Sequence, residues 1–387
     1  MFSLPLFSLF LTAFAIGTTE FVVTGILPDV AGDLGVSIPA AGYLISGYAT
    51  GVAIGGPVMA ILTAGLERKT TLIGLMALFV FSNVLCALAP SYGWLMAARV
   101  VVSLSHGAGL GIATVLAANL VSEDRRAGAV SLVLAGITVA NIVGVPIGTA
   151  IGGAFGWRAT FWTVSLLGIV AAAGAAVWVP RSGSGATPGQ SLLAEVRVLG
   201  RQEVYLSLAA IVVAAAGFFA LFAYIAPLLT EIVGVSPAAL PFVLAVFGIG
   251  ALIGNLAGGR LADWKLMPST IGIFVALLVV YLLLLGAVHG LVLGVVTLFV
   301  WAIVNFSFAA PLQTRILNGA RAAPNLASTL VSTAFNIGIA GGAALGSVAL
   351  THGFGYDQLP LLGIAGVVPA LVLIVLSHAI DRRTAAA

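Results

Sequence analysis

Long apolar runs, separated by short breaks that carry glycine, proline or charge, follow one another along almost the whole chain. A membrane-spanning helix needs about 20 largely apolar residues. Twelve runs are of roughly that length, at 6–27, 40–64, 70–89, 93–120, 127–154, 159–179, 204–229, 237–259, 269–288, 291–314, 324–351 and 359–377. The pattern predicts an all-α membrane protein with twelve transmembrane helices. The break between the ninth and tenth runs, at His289 and Gly290, is the least marked.

The composition indicates a lipid environment. Of the 387 residues, 61% are hydrophobic and 7% are charged, whereas about a quarter of the residues in soluble domains are charged. The first run lacks the basic segment that precedes the core of a signal peptide, and it is longer than such a core, so we count it as a span. Cys86 is the only cysteine, which excludes an intrachain disulfide.

Basic residues are concentrated on one side of the predicted membrane. With the amino terminus in the cytoplasm, thirteen of the fifteen lysines and arginines lie in inner loops and the carboxyl-terminal tail, and Arg158 is the one basic residue in the outer loops. Cytoplasmic loops carry such an excess of lysine and arginine. We therefore expect a multi-pass protein of the cell (inner or plasma) membrane with both termini in the cytoplasm.

The two halves of the chain share a pattern of glycines. A shift of 199 residues places Gly35-Val36-Ser37 on Gly234-Val235-Ser236, and Gly51 and Gly55 on Gly250 and Gly254; a shift of 198 places Gly144 and Gly148 on Gly342 and Gly346. A nearly constant offset indicates an internal repeat. Because each copy holds six predicted helices, both copies enter the membrane in the same direction, as in transporters built from parallel repeats.

The repeat predicts two six-helix bundles, 1–180 and 204–387, joined by a cytoplasmic linker at 181–203. The linker begins with "RSGSGATPGQ", which is rich in glycine, serine and proline and is typical of flexible segments. The following "SLLAEVRVLGRQE" places leucines and a valine on one helical face, which predicts a short amphipathic helix on the membrane surface. A solvated linker is the alternative.

Three ionisable residues lie within the predicted spans: Glu20 in the first, and Arg99 and His106 in the fourth. A charge in mid-membrane costs about 2.5 to 3.5 kcal/mol on insertion scales, so such residues are candidates for function. Burial favours the neutral form of Glu20, whereas an approaching Arg99 or His106 would favour its charged form. We predict that these three residues couple transport to protons.

Each of the three also has a purely structural interpretation. Glu20 could be a carboxylic acid hydrogen-bonded between helices, Arg99 a side chain that snorkels to the outer surface, and His106 an interhelical hydrogen-bonding group. Gly17 and Thr24 flank Glu20 at helical spacing and make a small polar face suited to a wet cavity. Arg99 and His106 are seven residues apart and therefore share one face of their helix.

Neutral polar and aromatic side chains recur inside the predicted spans. Most amides and hydroxyls there are expected to join helices, and most aromatic rings to pack or face lipid, but a minority should face cargo. The predicted substrate-binding residues are Glu20, Thr24, Tyr48, Asn141, Phe218, Phe222, Tyr224, Trp301, Asn305 and Asn336.

The fifth predicted helix is built to bend or slide. In "GVPIGTAIGG", Gly144, Gly148 and Gly152 recur every four residues, a spacing that lets helices approach closely. Pro146 leaves a backbone carbonyl without its partner and kinks the span. We predict that Gly144, Pro146 and Gly148 belong to the gating machinery.

Several chemistries lack their motifs in this sequence. The chain contains no Gly-x4-Gly-Lys-Ser/Thr phosphate loop, no His-Glu-x-x-His pair and no serine nucleophile elbow. We therefore expect neither an enzyme nor a metal or other cofactor, and no nucleic-acid partner. The expected partners are a small-molecule substrate, protons and the lipid bilayer, with the proton gradient as energy source, and the expected state is a monomer.

The chain resembles one known family over essentially its whole length, and three segments carry the resemblance most clearly. "GTTEFVVTGILPDVA" (17–31), "ARVVVSLSHGAGLG" (98–111) and "GITVANIVGVPIGTAIGGAFGWRATFW" (136–162) are similar to the major facilitator superfamily. Within it they resemble the drug:proton antiporter branch, which includes arabinose-efflux-type permeases and chloramphenicol-resistance exporters. The resemblance implies the twelve-helix fold and export of small molecules in exchange for protons.

The resemblance also assigns a cytoplasmic latch. In the second copy, "GRLAD" retains the family's Gly259 and Asp263, and Asp263 is implied to hold the positive amino end of the eleventh helix. In the first copy the same two positions are Ala60 and Ala64. The chain also departs from the family pattern at Ser103, where the family has glycine, and between Gly144 and Pro146, which the family joins directly.

The sequence thus supports one main functional hypothesis: proton-coupled export of small amphiphilic or drug-like molecules by alternating access, the two halves rocking about a central cavity with Glu20 as proton carrier. An efflux carrier or facilitator for neutral sugars is the alternative within transport, because the many amides could bind hydroxyls. A receptor or scaffold without transport activity is the alternative from another class.

Overall fold

The computed structural model describes residues 3–63, 65–181, 201–320 and 324–386, and all regular structure within these ranges is helical. In the first half the helices are α1 (Leu4–Asp33), α2 (Ile38–Thr63), α3 (Arg68–Ala87), α4 (Tyr92–Asn119), α5 (Arg126–Val139), the π-helix π1 (Ala140–Gly144), α6 (Val145–Phe155) and α7 (Trp157–Trp178). The predicted linker helix lies outside the described residues.

The described part of the second half is also helical. Its helices are α8 (Gln202–Phe222), α9 (Ile225–Pro227), the π-helix π2 (Leu228–Ile232), α10 (Leu240–Ala287), α11 (Leu291–Ser307), α12 (Ala309–Gly319), α13 (Pro324–Thr351) and α14 (Leu359–Ala386). Short 3-10 turns lie at Glu123–Arg125 and Tyr356–Gln358. Eleven of these helices or helix pairs are long and apolar enough to cross a membrane.

The eighth and ninth predicted spans are the two helical segments of α10, which the count of eleven takes as one, so all twelve predicted spans are present. Helical geometry is interrupted inside α10 at Lys265, whose φ is −151° and ψ is 90°. Pro268 follows in the first turn of the second segment, where a missing N–H costs no helical bond. The eighth apolar run ends at Gly259, but the helical backbone continues beyond it as far as the break at Lys265. Polar residues thus end the lipid-facing stretch without ending the helix.

The chain divides into two compact units. Unit 1 comprises Met1–Thr187 and Ser236–Gly248, and unit 2 comprises Pro188–Val235 and Ile249–Ala387. The division therefore falls within α10, whose first turns pack with unit 1.

In unit 1, α1 packs closely against the fifth span through small residues. A side chain at Gly144 would overlap Thr18, one at Gly148 would overlap Val22, and one at Gly152 would overlap Ile26. We call this contact the glycine seam. Small residues let two helices approach where lipid supplies no hydrophobic driving force, so the seam fixes α1 and the groups it carries.

The glycine seam contains a widened turn. Pro146 has no N–H, and in π1 the N–H of Val145 instead reaches the carbonyl of Ala140, five residues back. Such single π turns are frequent at functional sites. Gly248 of α10 packs on the backbone of Asn141 within this turn, where a side chain would meet the Asn141 carbonyl oxygen at 2.6 Å.

Unit 2 repeats the same packing. A side chain at Gly342 would overlap Ala216 of α8, as one at Gly144 would overlap Thr18 in unit 1. The loops repeat as well: Gly35 and Gly234 adopt φ values of +64° and +83°, a region that glycine enters without steric cost. The internal repeat predicted from the sequence is present in the packing of each unit.

Candidate functional site

Glu20 lies in the middle of α1 on its buried face, with 8% of its surface exposed. Its Oε2 is 3.9 Å from Nδ1 of His106 on α4. A carboxyl group and an imidazole at this distance form an ion pair only when the histidine is protonated and the acid is not. The structure therefore brings together two of the three residues that we predicted to couple protons.

Tyr48 of α2 extends this cluster. Its hydroxyl shares a hydrogen bond of 3.0 Å with Nδ1 of His106, the same nitrogen that faces Glu20. A neutral imidazole nitrogen either donates or accepts, whereas a protonated one donates. Nδ1 of His106 thus faces the Tyr48 hydroxyl at hydrogen-bond distance and the Glu20 carboxyl group at 3.9 Å, beyond that distance.

Arg99 is fully buried, with no exposed surface. Its Nη1 donates to the backbone carbonyl of Thr19, at 2.6 Å, and its guanidinium lies over the Tyr48 ring, 4.3 Å from the centroid. The alternative in which Arg99 snorkels to the outer surface is therefore wrong, because the side chain turns into the bundle to meet a carbonyl and a ring.

The charge of Arg99 is not neutralised directly. Among the described residues no acidic oxygen lies within 4.0 Å of its guanidinium, and its Nε and Nη2 have no hydrogen-bond partner. Arg99 therefore binds the backbone of α1 next to Glu20, but the two side chains do not form an ion pair in this structure.

Two residues of this cluster were missed as functional candidates. Thr19 supplies the carbonyl that binds Arg99, and its hydroxyl donates to Oδ1 of Asn83 on α3 at 2.7 Å. The Asn83 amide in turn donates to the carbonyl of Phe79 at 2.9 Å. The depth of Asn83 in the third span was a signal, but nothing in the sequence connects it to Arg99.

The two residues that flank Glu20 make contacts within unit 1. Gly17 packs against Ile137 and Ala140 of α5 and π1, where a side chain would meet atoms at 3.0–3.1 Å. Thr24 is buried and its hydroxyl donates to the carbonyl of Phe21, one turn back, at 2.7 Å. Small residues at helical spacing allow close helix packing as readily as they line a cavity, so the role of this face in substrate binding stays a prediction.

In π1, Asn141 is buried and its amide donates to the Ile137 carbonyl at 3.1 Å. The residue therefore caps the widened turn from within its own helix. Pro146 lies two residues beyond the end of π1, and Gly144 and Gly148 belong to the glycine seam.

In unit 2 the predicted aromatic residues meet. The Phe218 ring lies 4.9 Å from Trp301, 5.0 Å from Phe222 and 5.5 Å from Phe306 between centroids. Tyr281, which we had not assigned to the site, packs edge-on against Trp301 at 5.9 Å. Three of the predicted substrate-binding residues thus form one cluster.

Two other predicted residues of unit 2, Tyr224 and Asn336, donate hydrogen bonds to backbone carbonyls. The Tyr224 hydroxyl donates to the Ala343 carbonyl at 2.9 Å and ties α8 to α13. The Asn336 amide donates to Ser332 at 2.9 Å. Oδ1 of Asn336 and Oδ1 of Asn305 are buried and have no hydrogen-bond partner among the described residues.

The predicted latch at Asp263 has no ion-pair partner in the described part of the chain. Asp263 is exposed, and Gly259 faces open space; the side chains of Pro324 and Asn325 lie outside the described residues. A different ion pair is present in unit 2, between Nη2 of the buried Arg315 and Oδ2 of the partly exposed Asp381, at 2.7 Å.

A second unpredicted cluster joins the ends of α1, α3 and α7. Arg158 donates from Nη1 to Oδ2 of Asp33 and from Nη2 to the carbonyl of Ala89, at 2.5 and 2.8 Å. Trp157 donates to the same Asp33 oxygen at 3.1 Å. These contacts hold the end of the helix that carries Glu20.

Comparison with known proteins agrees with the fold. The family model described as "Major Facilitator Superfamily" matches residues 9–346. The chain is 39% identical over 375 residues to "Inner membrane transport protein YdhP" of Escherichia coli (strain K12), covering 96% of this chain and 95% of that protein. It is 34% identical over 375 residues to "Chloramphenicol resistance protein" of Streptomyces lividans, covering 96% and 95%.

One solved structure shows the same fold. It is a bacterial homolog of the human lysosomal transporter Spinster, in an inward-facing and unoccupied conformation. The TM-score is 0.72 over 97% of this chain and 95% of that chain, with 19% sequence identity.

Proposed function

Because the chain belongs to the Major Facilitator Superfamily, whose members are membrane transporters, we propose that it exports small amphiphilic or drug-like molecules in exchange for protons by alternating access. The proton gradient is its energy source, with no bound cofactor. We further propose that it acts as a monomer in the cell membrane with both termini in the cytoplasm, on the strength of its loop charges.

One observation carries the proton coupling: Glu20 is buried, lies 3.9 Å from His106 and is within 4.0 Å of no permanently charged group among the described residues. A buried carboxyl without a cation holds its proton, because desolvation disfavours the charged form. A protonated His106, or an approach of Arg99, would favour release. A conformational change that alternates these surroundings loads and unloads one proton.

The energy of one proton is sufficient for useful export. A charge that crosses 100 mV releases about 2.3 kcal/mol. At 1.36 kcal/mol per tenfold ratio, this supports roughly a fifty-fold gradient of a neutral cargo.

Two observations bear on the cargo. The cluster around Phe218 and Trp301 offers an apolar aromatic surface, and one relative is named a chloramphenicol resistance protein; both favour drug-like molecules. Export or facilitated passage of neutral sugars is the second candidate. It is favoured by the amide oxygens of Asn305 and Asn336, which have no hydrogen-bond partner in the described part of the chain and could accept bonds from hydroxyls.

The test is transport by purified protein in liposomes under an imposed pH gradient, with chloramphenicol and neutral sugars as cargo. In Glu20→Gln the carboxyl group is replaced by an amide of the same size, so flux should no longer respond to the gradient. Asp29→Asn is the matched control, since it makes the same change on the same helix at an exposed position. Gradient-driven flux that persists in Glu20→Gln would exclude Glu20 as the proton carrier.

A further inference from the structure

The packing within each unit aligns the two halves residue by residue. In unit 1, Gly17 of α1 meets Ala140; in unit 2, Ala215 of α8 meets Gly338, at an offset of 198 for both partners. In the same way, Gly51 and Ser103 in α2 and α4 correspond to Gly250 and Ala302 in α10 and α11, at an offset of 199.

These offsets locate the counterpart of the proton site in unit 2. The offset of 198 takes Glu20 to Phe218, and the offset of 199 takes His106 to Asn305. The helix is interrupted at Tyr224, whose φ is −113° and ψ is 24°. Beyond this residue the offset between α1 and its counterpart in unit 2 becomes 199, so Pro28 corresponds to Pro227. The place of an acid and an imidazole in unit 1 is therefore taken in unit 2 by an aromatic ring and an amide.

The counterpart site is apolar, and its rings lie in the interior of unit 2. Phe218 lies at its centre, stacked on Phe222 with an interplanar angle of 15°, and Trp301 has no exposed surface. Trp301 and Asn305 are one helical turn apart on α11 and therefore share a face. We call Phe218, Phe222, Trp301 and Asn305 the aromatic–amide site.

The amide of this site lacks a partner for its oxygen. Asn305 is 3% exposed, and its Oδ1 has no hydrogen-bond partner among the described residues. A buried acceptor without a donor is destabilising and is rare in native proteins, so its presence calls for an explanation such as a ligand. The oxygen accepts but cannot donate, so it would bind an O–H or N–H and repel a carboxylate.

We propose that the aromatic–amide site binds the ring of an aromatic cargo that carries a hydroxyl or N–H donor, the donor bonding to Oδ1 of Asn305. Offset-stacked and edge-to-face contacts with Phe218, Phe222 and Trp301 hold the ring. This assignment rests on the proposed function. It gives the two units different roles: unit 1 carries the proton, and unit 2 binds the aromatic part of the cargo.

The test is equilibrium binding to the purified chain at fixed pH, without a gradient. The probes are chloramphenicol, an aromatic molecule whose donors are two hydroxyls and one amide N–H, and its derivative methylated on both hydroxyls and on the amide nitrogen. Wild type should bind the methylated probe about fivefold more weakly, the effect of one lost hydrogen bond near 1 kcal/mol. This comparison requires no variant to fold.

Variants then assign the effect to residues. Asn305→Leu, and Asn305→Ala should the leucine variant not fold, should bind both probes equally. Phe218→Leu should bind both about tenfold more weakly, as expected when an aromatic contact is lost. Phe274→Leu is the control, because Phe274 is a buried phenylalanine of unit 2 that packs on Phe308, outside the site.

The proposal is overturned if wild type binds both probes equally or neither of them, or if the Asn305 variants keep the preference. These outcomes are separate from proton coupling. Loss of the preference in Asn305→Leu together with gradient-driven flux in Glu20→Gln would support the site and reject Glu20 as carrier; the reverse result would reject the site alone.

Discussion

The Tyr48 hydroxyl lies 3.0 Å from Nδ1 of His106, while the Arg99 guanidinium lies over the ring of the same tyrosine. Tyr48 therefore contacts both cationic candidates of the site with two different parts of one side chain. The hydroxyl shares a hydrogen bond with Nδ1 of His106, and the ring face offers Arg99 an interaction that requires no carboxylate.

These two roles can be separated by substitution. Tyr48→Phe removes the hydroxyl and keeps the ring, so the rate of pH-driven efflux should fall about fivefold, the effect of one hydrogen bond near 1 kcal/mol. Tyr48→Leu removes both contacts and should reduce the rate further. Initial rates in proteoliposomes measure both.

Tyr43→Phe is the control for Tyr48→Phe, because Tyr43 lies on the same helix with its side chain exposed. It should transport like wild type. Equal rates in Tyr48→Phe and wild type would show that the hydroxyl has no part in coupling.

The helices could be predicted from the sequence because lipid imposes a strong and simple rule on them: every run of about 20 apolar residues must be helical to satisfy its backbone. The rule also holds at α10, where the break between the eighth and ninth apolar runs contains Lys265, the residue at which helical geometry is interrupted. Apolar patterning does not give the exact residue of the break, because lysine has no intrinsic tendency to end a helix.

The site could be predicted only in part. Glu20, Arg99 and His106 were identifiable because a charge in the membrane is costly, and the structure brings Glu20 and His106 together. The bond from Arg99 to the Thr19 carbonyl depends on how α1 and α4 are rotated about their axes. Sequence spacing fixes which residues share a face, and it does not fix which faces meet.

The glycine seam predicts a position-specific effect on stability. Gly152→Leu should collide with Ile26 and Thr160, and overpacking of this kind costs about 1–3 kcal/mol. Its melting temperature in detergent should therefore be lower than that of wild type. The neighbouring Gly153 faces open space, so Gly153→Leu should melt close to wild type. Equal loss in both variants would show that the seam is not tightly packed.

The ion pair of Arg315 and Asp381 predicts a larger effect when one partner is lost than when both are. Arg315 is 8% exposed and Asp381 is 38% exposed. Removing one partner of a buried pair costs up to about 3–5 kcal/mol, whereas exposed pairs contribute about 0–1 kcal/mol. Because Asp381 is partly solvated, Asp381→Asn should lower the free energy of unfolding by less than the upper end of the range for buried pairs.

The double variant Arg315→Met with Asp381→Asn should recover part of this stability, because no unpaired charge remains buried. Glu123→Gln is the control, since the Glu123–Arg126 pair is exposed, and it should leave the melting temperature unchanged. Melting curves in one detergent give all four values. A double variant less stable than Asp381→Asn would contradict an ion-pair role for Arg315.

The proximity of Glu20 and His106 predicts that their effects on coupling are not independent. Residues in contact show interaction energies of about 0.5–3 kcal/mol in double-mutant cycles, while distant residues are additive. If the two residues act as one proton-handling unit, Glu20→Gln alone already abolishes its function, and His106→Gln added to it should slow pH-driven flux no further. Glu20→Gln combined with Tyr43→Phe should give the same flux as Glu20→Gln alone, because Tyr43→Phe has no effect by itself. Rates that multiply in the Glu20 and His106 double variant would instead mean two separate proton sites, and the 3.9 Å between Oε2 and Nδ1 would then be a packing distance without a role in coupling.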